Sequence, residues 1–234
     1  MNVLALFSHP DDVEFLCGGT LLKYKDQGHK IFIALTTSGN IGSNVIEGRE
    51  EIARTREAEQ LEAARFYEAE VRFLHNDDEG LIDTPEVRRQ VINAIRWADP
   101  DVIFTNFAGD RSTDHNTTAA IAGRVMLSLP GRNIPADEAP IERVPSLFYC
   151  DTAAGLHFEP EVYVDISETY DRKIQALECH KSQYAWMDTF QVHGFVDHCR
   201  ILAEYRGLAA GCRYAEGFRA YRIHGYMPDF KLLP

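Results

Sequence analysis

Two short segments, far apart in the chain, carry residue types that do chemistry together: His9-Pro10-Asp11-Asp12 and Asp110-Arg111-Ser112-Thr113-Asp114-His115. Imidazole nitrogens and carboxylate oxygens are donors that zinc and other divalent ions accept, and three protein donors leave a coordination position for water. His9, Asp12 and His115 make such a set. Asp11, next to a ligand but turned elsewhere by the chain, is then free to serve as a base toward that water. A plainer reading fits the same residues: the HPDD turn caps a helix starting near Val13, its aspartates favoured by the helix dipole, and Asp114-His115 belongs to a loop before an N-cap at Asn116 or Thr117.

The choice depends on which elements hold these segments. VLALF (3–7), KIFIALTT (30–37), VRFLH (71–75) and DVIFTN (101–106) are short apolar runs that read as strands. Between them lie helical patterns at 19–29, 47–67 and 84–97, the last with Thr84 as N-cap and Pro85 in the first helical position. Strand and helix alternating in this way predict an α/β fold, a Rossmann-like three-layer αβα sandwich with a mostly parallel sheet. Ligands of such sheets gather beyond the carboxyl ends of the strands, where both segments fall. Residues 1–128 form the predicted core, and 146–234 a small C-terminal α/β elaboration of the same single domain. That part holds a strand at 162–167 and a helix at 168–187.

Gly18-Gly19 is too short for a dinucleotide loop and reads as close packing of the first helix, and Glu14 reads as structural. The proline-rich stretch 129–145 reads as a mobile or partner-facing connection, a lid or an oligomer contact. Tyr184, Trp186, Phe190 and Phe195 form either core or a sugar-binding wall.

Bulk composition narrows the function classes. With 234 residues, 45% of them hydrophobic, the chain can bury one sizeable core. Its net charge of −12 argues against nucleic acid or an anionic membrane surface as the main partner. No apolar run approaches membrane-spanning length and the start lacks the pattern of a secretory signal, so a cytoplasmic location is expected. Five scattered cysteines without a C-x-x-C pair argue against a disulfide framework and a thiolate zinc site.

In order along the chain, HPDDVEFLCGGTLLKY, TREAEQLEAARFY, DDEGL, DRSTDH, VDIS, KIQALECHKSQY and YAEGF resemble the PIG-L or LmbE-like deacetylases, zinc-dependent enzymes that remove acetyl groups from N-acetylglucosamine-type substrates. The resemblance runs from His9 to Phe218. It implies that His9, Asp12 and His115 bind Zn2+, or another divalent ion, and that Asp11 is the general base. It also implies that Arg56 contacts substrate hydroxyls or steadies the site; Arg111 and Asp114, on the same rim, read as substrate-contacting or supporting residues, Asp114 by fixing the orientation of a ligand histidine. Without the resemblance, Arg56 reads as a surface partner of Glu59. A small amino-sugar conjugate is the implied partner, and relatives often assemble into homo-oligomers.

One position departs from the pattern: members related to thiol-cofactor deacetylases read D-R-H-P-D-H where this chain has Ser112 in place of the first histidine. The leaving amine must then take its proton from Asp11 or from another histidine, of which His157, His180 and His193 are candidates. Two alternatives stay open: a metal-dependent hydrolase of another amide or ester bond, and a silent Rossmann-like module that binds a sugar or nucleotide.

Overall fold

A computed structural model describes residues 1–189 and 192–222. Among them a seven-stranded sheet has the order β3-β2-β1-β4-β5-β7-β6. The strands are β1 (Asn2–Phe7), β2 (Lys30–Thr37), β3 (Glu70–Asn76), β4 (Val102–Thr105), β5 (Ser146–Cys150), β6 (Val162–Asp165) and β7 (Ala215–Ala220). β1 to β5 are parallel, and β7 pairs antiparallel with both β5 and β6.

The helices are α1 (Asp12–Asp26), α2 (Arg49–Ala64), α3 (Pro85–Ala98), α4 (Thr113–Val125), α5 (Tyr170–Leu177), α6 (Lys181–Met187) and α7 (Phe195–Ala210). They cover both sides of the sheet, and β1 shows why. Val3, Ala5 and Phe7 point into the cluster shared with α1, α5 and α7, while Leu4 and Leu6 point into the cluster shared with α3 and α4. A strand buried on both faces has no polar positions to alternate, which is why VLALF is uniformly apolar.

The three-layer fold expected from the alternation is the one observed. Strand order reverses between β1 and β4, so the turns after these neighbouring strands open a crevice at the carboxyl ends. Asn106 ties the turns together: its Oδ1 accepts from Ser8 N at 2.9 Å, and its Nδ2 donates to Asp12 Oδ2 at 3.3 Å.

Several expected elements differ in detail. The first helix starts at Asp12 and contains Gly18 and Gly19; a Cβ on Gly18 would meet Tyr67 Oη at 2.7 Å and one on Gly19 would meet Ile166 at 2.8 Å. Close packing is thus the use of the glycine pair. The helix expected over 168–187 is broken into α5 and α6, because His180 leaves helical dihedrals (φ −81°, ψ 59°) to bury its ring against Glu14 Oε2 at 2.9 Å.

The stretch 129–145 is no lid over the crevice. The Arg96 guanidinium on α3 donates to the carbonyls of Leu129, Gly131 and Glu138 at 2.8–3.1 Å, which fastens the stretch to that helix. Thr84 caps α3 as expected, accepting from Val87 N.

Candidate active site

The turn after β1 aims adjacent aspartates at different partners through one backbone feature. Asp11 sits at the N-cap position with φ 99°, ψ −30°, a left-handed conformation that costs a non-glycine residue on the order of 1–3 kcal/mol. Its side chain makes no capping hydrogen bond. Capping therefore does not explain the turn. Asp11 instead faces Arg56 Nη2 at 3.3 Å, while Asp12 Oδ2 accepts from His9 N at 3.0 Å and folds its carboxylate back toward the two histidines.

The α4 turn is conventional: Ser112 has extended dihedrals and its Oγ accepts from His115 N, so the cap lies ahead of the expected Asn116 or Thr117. The expected site residues converge. His9 Nδ1 lies 3.2 Å from His115 Nε2, His115 Nε2 lies 3.2 Å from Asp12 Oδ1, and His9 Nδ1 lies 3.6 Å from Asp12 Oδ2. Donors arranged tetrahedrally at the usual zinc distances would sit about 3.3–3.4 Å apart, which the His9–His115 and His115–Asp12 separations approach, and one donor atom from each of the three residues lies within 4.8 Å of the others.

The outward nitrogens are backed by carboxylates. His9 Nε2 lies 3.0 Å from Asp78 Oδ1 and 3.2 Å from Asp114 Oδ2, and His115 Nδ1 lies 3.1 Å from Asp110 Oδ2. A carboxylate on the far nitrogen fixes the tautomer and aims the bare lone pair at a metal. His9, Asp78 and Asp114 form a second cluster with cation-like spacing. Its Asp114 oxygen already accepts from Glu79 N at 2.7 Å, which suits an orienting group better than a ligand.

Charge follows this layout. Burial opposes charge on both imidazoles, yet the carboxylates around them prevail: Asp114, Asp12 and Asp78 hold His9 well above 6.5, and Asp12 with Asp110 raises His115 to about 9. The carboxylates that favour positive charge on these imidazoles would favour a bound cation in the same way. Burial also raises Asp11 to about 6 against the pull of Arg56, with Asp12 adding to the rise. A base near that value is ionised at neutral pH and still basic enough to take a proton.

Arg56 is 3% exposed and is not the surface partner of Glu59. It donates to the carbonyls of Pro10 (2.7 Å) and Gly39 (3.1 Å), and a Cβ at Gly39 or Gly42 would collide with its guanidinium. Gln60, one turn along α2, accepts from Asp11 N at 3.2 Å and donates to Glu14 Oε1 at 3.0 Å. Glu14 and His180 are both 0% exposed and close this network from behind, the structural role expected of Glu14.

These groups open into a cavity of about 600 Å3 whose polar floor meets a wall that includes Phe15, Ile41, Trp186, Met187 and Phe195. Arg111 lies at its exposed rim. Of the aromatic residues weighed above, Trp186 and Phe195 line the cavity, Tyr184 packs edge-on to Phe195 at 5.8 Å, and Phe190 lies outside the described residues.

His157 and His193 are absent from the lining and His180 is committed to Glu14, but His198, which no motif marked, is present. Sequence reasoning also missed the orienting roles of Asp78 and Asp110 and the Gly39/Gly42 clearance. The available signals were a second aspartate in DDEGL, the aspartate that opens DRSTDH, and the paired glycines of SGNIG.

No described helix is long and apolar enough to cross a membrane. Residues 4–126 match the family model described as PIG-L, GlcNAc-PI de-N-acetylase. The diacetylchitobiose deacetylase of Thermococcus kodakarensis is 28% identical over 93% of this chain and 82% of its own. A Bacillus cereus protein described as a probable N-acetyl-alpha-D-glucosaminyl L-malate deacetylase 2 is 30% identical over 78% of this chain and 83% of its own. Among solved structures, the N,N'-diacetylchitobiose deacetylase of Pyrococcus horikoshii superposes with a TM-score of 0.82 at 25% identity, covering 94% of this chain and 83% of that one. A family model spanning more than half of the chain, relatives matched over most of their length and a shared fold place this protein in the PIG-L family of deacetylases.

Proposed function

We propose that this protein is a metal-dependent hydrolase that removes the acetyl group from an N-acetylglucosamine-type substrate, giving acetate and a free amine. The donor triangle carries the reading, because His9, Asp12 and His115 present two imidazole nitrogens and a carboxylate at mutual distances of 3.2–3.6 Å. These three residues would hold the ion. Zinc suits such a set, which accepts other divalent ions as well. The bound ion would supply Lewis acidity that polarises the acetamide carbonyl and eases deprotonation of water.

The chain's own groups do the rest. Asp11, ionised at neutral pH, takes the proton of the attacking water, and the carboxylic acid so formed hands it to the amide nitrogen as the C–N bond breaks. No covalent acyl-enzyme is required. Arg56, itself held by the Pro10 and Gly39 carbonyls, keeps Asp11 ionised. Asp78 and Asp114 steady His9, and Asp110 steadies His115. Arg111, at the exposed rim, contacts the substrate as it enters.

Treatment with a chelator followed by dialysis tests this reading, with acetate and amine release measured on an N-acetylglucosamine glycoside. Activity should vanish and return with added zinc. Activity that survives complete metal removal would sink the proposal.

A further inference from the structure

Most titratable groups lining the cavity are committed to one another. His9 faces Asp78 and Asp114, His115 faces Asp12 and Asp110, and Arg56 holds Asp11. His198 is different. It stands in the first turns of α7, where its backbone N–H donates to Gly194 O at 2.9 Å, and its half-buried ring makes no hydrogen bond among the described residues.

The ring is nonetheless held in place. It stands edge-on to Phe15, with centroids 5.6 Å apart and an interplanar angle of 86°, and Phe15 in turn lies 5.5 Å from Phe195. Burial, then the nearby His193 and Arg111, keeps its pKa below 6.5. At neutral pH the cavity therefore meets an uncharged imidazole with one N–H to donate and one bare nitrogen to accept.

We propose that His198 is a substrate-contacting residue that hydrogen-bonds a sugar hydroxyl, with Phe15 and Phe195 beside it offering an apolar surface to the ring's C–H face. A hydroxyl is the chemical match for a neutral imidazole, since each can donate and accept at once. A carboxylate or phosphate on the substrate would ask for charged donors instead. Aromatic side chains suit the apolar part of such a ligand because they combine a large apolar body with a defined orientation. His198 also lies beyond the family-model match, which ends at residue 126. The inference rests on the deacetylase reading for its substrate class and assigns His198 to binding, with no proton moved.

The test uses methyl N-acetyl-β-glucosaminide with wild type, His198→Ala and His198→Gln, measuring amine release and, separately, equilibrium binding by calorimetry. For His198→Ala, KM and Kd should rise roughly three- to tenfold, the usual worth of one neutral hydrogen bond, with kcat within about twofold and metal content unchanged. His198→Gln keeps a donor and an acceptor and should restore most of the affinity, which also guards against a misfolded alanine variant. Unchanged KM and Kd in the alanine variant would overturn the inference, as would a fall in kcat at constant KM. If wild type binds the glycoside but releases no amine, the deacetylase reading fails while Kd still judges His198. If wild type binds no glycoside at all, the inference fails.

Discussion

The turns after β1 and β4 lie side by side and each opens a helix, yet they do so in opposite ways. At α4, Ser112 adopts extended dihedrals and its hydroxyl caps the helix. At α1, Asp11 takes φ 99° and its carboxylate caps nothing. Both helices need partners for their first N–H groups, and a side-chain cap contributes about 1 kcal/mol. One turn spends its polar side chain on stability. The other gives up that contribution and accepts backbone strain, which frees a carboxylate for Arg56 and the cavity. A residue of capping type that sits at a helix start and declines to cap is what the base role proposed for Asp11 requires.

Substitutions can break this contrast. In the proposed mechanism Asp11→Asn removes the base, so kcat should fall about 10²- to 10⁴-fold, while thermal stability stays near that of wild type because no cap is lost. A melting temperature that falls along with kcat would mean that Asp11 is structural after all.

The orienting carboxylates come next. Asp110→Asn and Asp114→Asn should each lower metal affinity or activity about 10- to 100-fold, read by metal titration in a chelating buffer. An Asp114→Asn effect as severe as loss of a ligand would mean that the second cluster, His9 with Asp78 and Asp114, holds the ion itself.

Arg56→Gln sharpens the electrostatic side. Arg56 pulls the Asp11 pKa down toward its value of about 6, so its removal raises that pKa further. A base with a higher pKa stays protonated to higher pH. The acidic limb of kcat/KM, expected at or below about 6 in wild type, should therefore move to higher pH in the variant. An unmoved or downward-shifted limb would remove Arg56 from the base's surroundings. The smallest effect is expected at the other turn, where Ser112→Ala should cost about 1 kcal/mol in denaturant unfolding and leave kcat within a small factor.

Legibility in the sequence follows the same division. Strands buried on both faces and a helix with both Thr84 and Pro85 declare themselves by composition, so the parallel half of the sheet and α3 were readable. The four residues expected to do the chemistry stand on two turns that the sheet brings together, and the rule that ligands gather beyond the carboxyl ends of parallel strands put both turns on one rim. What stayed hidden depends on contacts between distant segments. The break at His180 is set by Glu14 across the core, and the fastening of 129–145 is set by Arg96. Arg56 looked like a surface residue because its glycine-cleared berth lies in another loop. His198 carried no motif, because its exposure to the cavity comes from where α7 packs.

In the proposed mechanism two neighbouring aspartates divide the work, and metal stoichiometry in Asp11→Asn and Asp12→Asn, measured by elemental analysis beside amine release, tests that division most directly. Asp11→Asn should retain the wild-type metal and release almost no amine, whereas Asp12→Asn should lose the metal. Equal loss of metal in both variants, or an Asp11→Asn protein that still turns over at the wild-type rate, would contradict the division.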